Sequence, residues 1–170
     1  LLAAFVAANH PALVPLLQAT SMALQQATGD SALDGYQRRS PTRVRALVAA
    51  VHHAVAGVGI TYVGAPPSYE RLGQKVRTPE QVVGERVGPC LDLAVLYAAV
   101  LEHVGLEPMV VLVRGHACVG VWLQPTSSPH VELGPAVELR KRVDAGALLL
   151  LEATAACSGQ GADFATACQL

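Results

Sequence analysis

The sequence predicts an α+β fold in which a long apolar helix packs on an antiparallel sheet, with an N-terminal helical annex. Three observations carry this reading. Before about Gly59 apolar residues recur only at helical spacing, Leu91 to Val104 is a second helical run with few polar positions, and Pro108 to Leu123 is Val-rich and split at Gly115. A chain of 170 residues with 52% hydrophobic and 15% charged side chains is long and apolar enough to bury one true core. We divide it into an annex, residues 1–58, and a core, residues 59–170, which together form one compact domain.

Helix one places Leu13, Leu16, Leu17, Thr20 and Leu24 on one face, with Pro11 where a first turn tolerates it. Gly29 to Arg39 is polar and reads as a loop. Ser40-Pro41-Thr42 is a start signal for helix two, whose Val44, Leu47, Val48, Val51 and Val55 keep helical spacing until Gly57 and Gly59 end it. Ile60 to Val63 reads as a short extended piece, stopped by Pro66 and Pro67, and an irregular segment runs on to about Thr78. Thr78-Pro79-Glu80 opens a short helix through about Glu85. Gly88-Pro89-Cys90 then opens the stronger helix, which Gly105 ends. Pro108 to Arg114 and Ala117 to Leu123 read as paired strands with Gly115-His116 at their junction. Leu148 to Leu151 reads as a further strand, Gln124 to Val143 as a loop or edge excursion, and a last helix starts near Asp163.

Charge and composition exclude several functions. A net charge of −1 and a pI near 6.6 offer no basic stripe for a phosphate backbone, so direct nucleic-acid binding is not expected. No apolar run approaches the roughly 20 residues that span a bilayer, so no membrane partner is expected either. The four cysteines, Cys90, Cys118, Cys157 and Cys168, form no CxxC and read as reduced thiols of a cytoplasmic protein. Leu1 to Ala8 lacks the basic flank and cleavage site of a signal peptide, and a first methionine at position 22 suggests a piece of a longer chain. Ten arginines against two lysines, Lys75 and Lys141, amid abundant Ala, Val, Leu and Gly match the bias of GC-rich bacterial genomes.

Thiolate is the nucleophilic form of cysteine, and the free amides and dipole of a helix N-terminus stabilise an anion there. Cys90 has that place. Alone it reads as an inert core thiol, but His116, at the mouth of a strand beside that helix, would supply the base. Glu152 interrupts an otherwise apolar strand, and a carboxylate there would fix the imidazole's tautomer and stabilise its cation; the plain alternative is a strand end reaching solvent. Gln74, in the irregular Gly73-Gln74-Lys75 segment, is a candidate to share an oxyanion with the Cys90 amide, although a loop Gln is more often merely solvated.

These residues carry a resemblance. Pro66-Pro67-Ser68-Tyr69-Glu70, Gly73 to Arg77, Gly88-Pro89-Cys90-Leu91-Asp92-Leu93-Ala94, Gly105 to Pro108, Gly115 to Leu123 and Leu151-Glu152-Ala153-Thr154, with Gly35-Tyr36-Gln37 and Arg43-Val44, resemble bacterial transglutaminase-like domains of the papain-like cysteine peptidase superfamily. The resemblance spans nearly the whole chain. It implies Cys90 as nucleophile, His116 as base and Glu152, where Asp is commoner, as the third member. Pro89 stands where Thr or Ser is expected, and Ala153 where Thr is expected; neither change removes a catalytic side chain. Similar domains accompany helicase-like or signalling modules in bacterial defence proteins, which implies flanking domains.

The expected activity is therefore a thiol hydrolase, protease-like, acting on a peptide or isopeptide amide of a protein or peptide substrate, with no cofactor. A transglutaminase or deamidase shares the same three residues, and a catalytically silent interaction module is the alternative of another class. The remaining polar residues have plainer readings. Asp92 lies about 200° around the helix from Cys90 and complements the helix N-terminus. Cys118 shares a strand face with His116, but no further ligand at customary spacing completes a metal site. His10, His52, His53, His103 and His130 read as surface or boundary residues, and Trp122 as a core or groove-wall aromatic that in the resembled fold lies near the substrate cleft.

Overall fold

The structure is a computed structural model, and it describes residues 2–64, 73, 75–126, 136–161 and 163–169. Two 3-10 turns, Leu2–Phe5 and Pro11–Leu13, precede helix α1, Val14–Thr28. Pro11 thus opens a separate turn, which the His10 side chain caps, and α1 begins at Val14. Gly29 ends α1 at φ 75°, a left-handed conformation that an L side chain adopts only at a cost. Helix α2, Pro41–Gly57, starts where Ser40 accepts from the Arg43 amide. The loop between them is fastened by the buried Arg43 guanidinium, which donates to Ala32 O at 2.7 Å, Asp34 Oδ1 at 3.1 Å and Thr28 Oγ1 at 3.2 Å.

Helix α3, Pro79–Glu85, opens with a capping box between Thr78 and Gln81. Helix α4, Cys90–His103, is the central element. Its Cys90 and every residue from Asp92 to Leu101 are buried, the pattern of a helix enclosed on all sides. It packs on β3, Pro108–Val113, and β4, His116–Trp122. These join β5, Leu148–Leu151, in an antiparallel sheet of order β3-β4-β5. A separate parallel pair forms between β1, Thr61–Tyr62, and β2, Val87–Gly88, with Tyr62 opposite Gly88. Leucines and valines of α1, α2, α4, β4 and β5 belong to one continuous buried cluster.

Two expectations need correction. Gln124 to Val143 is not wholly a loop or edge, because Ala136–Asp144 is a helix, α5. None of its residues is fully buried, but Leu139 and Val143, one turn apart, are half-buried, and a 3.0 Å Lys141–Glu138 pair and helix-favouring side chains support the exposed face; two such apolar positions make a stripe too short to stand out in the sequence. His52 is no surface residue. It follows Val48 by four positions and so shares the core face of α2, where it is buried with Nδ1 2.8 Å from the Tyr97 hydroxyl and its ring centroid 6.1 Å from that of Phe164. His130 lies outside the described residues.

Candidate functional site

The fold places the ends of its elements by length. Helix α4 has 14 residues, about 21 Å, and the six-residue strand β3 returns over about 20 Å, so β4 begins at the level where α4 begins. Cys90 is the first residue of α4 and His116 the first of β4. Between the strands only Arg114 and Gly115 turn the chain, with Gly115 at φ 74° and His116 in register with Val113. Cys90 is buried, at 8% exposure, and the N-cap Pro89 makes no side-chain hydrogen bond to the first amides of the helix.

Sheet register brings the carboxylate to the imidazole. Val119 pairs with Leu151, so the next residue of that strand, Glu152, comes level with Cys118, two positions from His116. The His116 Nε2–H donates to Glu152 Oε2 at 2.7 Å. The other oxygen, Oε1, accepts from Thr154 N at 2.9 Å and Thr154 Oγ1 at 2.7 Å, because Glu152 caps the 3-10 turn Ala153–Ala156. Both carboxylate oxygens are thus occupied, and His116 keeps Nδ1 for another partner. Ala117, Val119 and Val121 of β4 join the main core, to which Cys90 also belongs. Among the described residues no hydrogen bond links the Cys90 thiol to His116.

Two neighbours feel both the thiol and the carboxylate. Burial, and after it the charges of Glu152 and Cys90, push the Cys118 thiol up to about 11. The Tyr62 phenol is likewise raised, first by burial and then by Cys90 and Glu152. Tyr62 comes near because β1 pairs with the residues just before Cys90. Sequence reading missed it, since nothing local signals that parallel pairing. It also gave Thr154 no role, although a Thr two residues after an acid has the spacing of a local cap.

The other expected residues fall elsewhere. Gln74 lies outside the described residues. Trp122 ends β4, about 20 Å along the strand from His116, with the Arg142 guanidinium 5.9 Å from its ring centroid, so the structure does not bring it to the imidazole. Asp92 is fully buried and does more than complement the helix end: its Oδ2 accepts from Arg77 Nη1 at 3.1 Å, while Oδ1 has no hydrogen-bond partner among the described residues. Among the described residues no group of three His, Cys, Asp or Glu side chains is arranged to hold a metal ion.

A helix-borne cysteine level with a carboxylate-bound histidine on the adjoining sheet is an arrangement that comparison with known families can place. The profile of the transglutaminase-like domain matches residues 36–126. This chain belongs to the transglutaminase-like domain family. The matched stretch of this transglutaminase-like domain includes α2, Cys90 and His116 and stops before Glu152. No curated protein and no solved structure matches the chain. Membership points to thiol chemistry of the cysteine-hydrolase or transglutaminase type. No described helix of the domain is long and apolar enough to cross a membrane.

Proposed function

We propose that this transglutaminase-like domain is a thiol hydrolase of peptide or isopeptide amides, with Cys90 as nucleophile, His116 as general base and acid, and Glu152 as the group that orients the imidazole. The observation that carries the proposal is the 2.7 Å bond from His116 Nε2–H to Glu152 Oε2, which fixes the tautomer and directs Nδ1 to proton transfer. His116 takes the Cys90 proton, and the thiolate attacks the amide carbonyl carbon to form a tetrahedral oxyanion. Collapse breaks the C–N bond, and the imidazolium gives its proton to the leaving amine. Water then attacks the thioester, His116 accepts its proton, and the carboxylic acid leaves as Cys90 is regenerated. The Cys90 amide is the proposed oxyanion donor at the helix start, with Gln74 as its proposed companion. A Cys90 thiol without a hydrogen bond to the imidazole is compatible with this chemistry, since such contacts often tighten only when substrate binds.

The test is the pH dependence of iodoacetamide alkylation at each cysteine, resolved by mass spectrometry, in the native protein and in His116→Ala. Cys90 is expected to react fastest at about pH 6 and to lose that advantage without His116. Reaction at Cys90 no faster than at Cys168 overturns the proposal. With a peptide library as substrate, cleavage without uptake of a labelled amine separates hydrolysis from amine transfer.

A further inference from the structure

Helices α1, α2 and α3 enclose a groove of about 450 Å³, away from His116 and Glu152. That volume falls within the range of small-molecule sites, roughly 300–1,000 Å³. Its walls are apolar: Ala19 and Met22 from α1, Ala54 from α2 and Val83 from α3. Met22 is 64% exposed, so a long, adaptable apolar side chain stands at the mouth largely uncovered by the described residues.

The titratable members are one-sided. Arg86 and His53 line the groove beside the neutral Gln26, and among the described residues no carboxylate does. Neither Arg86 nor His53 has an ion-pair partner among the described residues. Arg86 also occupies a backbone position that glycine fills more easily: it ends α3 at φ 52° with its N–H bonded to Val82 O. Arg86 thus stands beside the groove in a backbone conformation that L side chains rarely adopt. A cation at the rim of an apolar surface is complemented by an amphiphilic anion that covers both.

We infer that this groove binds an amphiphilic monocarboxylate, an apolar chain lying along Ala19, Met22 and Ala54 with its carboxylate on Arg86. The commitment to a carboxylate rests on charge complementarity, and the commitment to an aliphatic body rests on the small and flexible side chains of the walls. The inference is independent of the thiol chemistry proposed above.

The protein has only two methionines, Met22 and Met109, so their ¹³C-methyl resonances give a probe in the groove and an internal reference on β3. Titration with decanoate is expected to shift Met22 saturably while Met109 stays. Arg86→Gln is expected to weaken decanoate about tenfold, the loss of one charge-assisted hydrogen bond, and to leave 1-decanol unaffected. Ala19→Trp, which fills the groove, is expected to abolish both. The inference is overturned if Met22 does not saturate at millimolar decanoate, if both methyls move together, or if Arg86→Gln binds decanoate as the parent does. It is also overturned if Met22 shifts with protein concentration alone, which assigns the groove to a second copy of this chain.

Discussion

Thr154 grips Glu152 with two donors on one oxygen, its amide at 2.9 Å and its hydroxyl at 2.7 Å, and so leaves the second oxygen aimed at His116. The acid is held by a turn of its own chain rather than by a distant partner. Under the proposed chemistry, Glu152→Gln lowers kcat/KM about a hundredfold or more, because the imidazolium loses its counter-charge. Thr154→Val lowers it roughly tenfold, and Thr154→Ser restores most of the loss because the hydroxyl returns. Peptide cleavage rates, with the rate of Cys90 alkylation as a second readout, check the series. Equal rates for Thr154→Val and the parent sink the positioning role.

Gly35 marks where the annex loop meets the end of α4. Its φ is 51°, and a Cβ there would lie 2.6 Å from Gly105 O and 2.8 Å from Val104 O, both backbone atoms that cannot step aside. The next residue, Tyr36, donates its hydroxyl to Trp122 O at 2.7 Å and accepts from Glu107 N at 3.0 Å, so the loop is tied to the sheet at this point. Gly35→Ala is expected to destabilise by about 2–4 kcal/mol in urea unfolding. Gly29→Ala, with φ 75° and nothing near its Cβ, is the control and is expected to cost only about 1–2 kcal/mol. Similar losses for the two would remove the close approach as the cause.

Two of the four thiols are predicted to be inert. Burial pushes Cys118 and Cys157 up to about 11 each, with the Glu152 charge adding to both. At about pH 8 only around one thiol in a thousand is then ionised at either site, and thiolate is the reactive form. Iodoacetamide mapping under native conditions should leave both unmodified while denatured protein is labelled at all four positions. Labelling of Cys118 as fast as Cys90 contradicts its enclosure.

Much of this arrangement was legible because it is written in local pattern. The α4 and β3-β4 segments announce themselves by period and by Gly105 and Gly115, and Glu152 stands out as a charge ending a run of four leucines. What escaped depends on contacts distant in sequence or on propensity without burial. The β1-β2 pair joins residues 26 apart, Thr61 to Val87, so Tyr62 near Cys90 has no local signal. Helix α5 offers only the half-buried Leu139 and Val143 as a period, and His52 was hidden because its i–4 relation to Val48 matters only once Tyr97 and Phe164 are packed beside it.

The pair Arg77 and Asp92 fixes the segment before α3 to the first turn of α4. Asp92 is fully enclosed, Arg77 is 31% exposed, and Arg77 also reaches Glu85 at 3.3 Å. Burial raises the Asp92 carboxyl above its ordinary 3.8, and Arg77 offsets only part of that rise. The folded protein therefore holds the Asp92 proton more tightly than the unfolded chain does. Ionising Asp92 costs stability: the cost is absent below about pH 3.8, grows as pH climbs toward the raised folded-state value and is complete above it. The stability of the parent relative to Asp92→Asn should accordingly decline with rising pH from about 4 and then level off, since Asn does not titrate. Arg77→Gln strands the buried carboxylate and is expected to lose about 2–3 kcal/mol near pH 7, with a smaller loss near pH 4 where Asp92 can take up a proton. Urea unfolding of all three proteins across that range checks the sign. A parent-minus-Asn difference that rises with pH would mean that the Arg77 attraction outweighs burial, and that folding favours the ionised form of Asp92 instead of the protonated one.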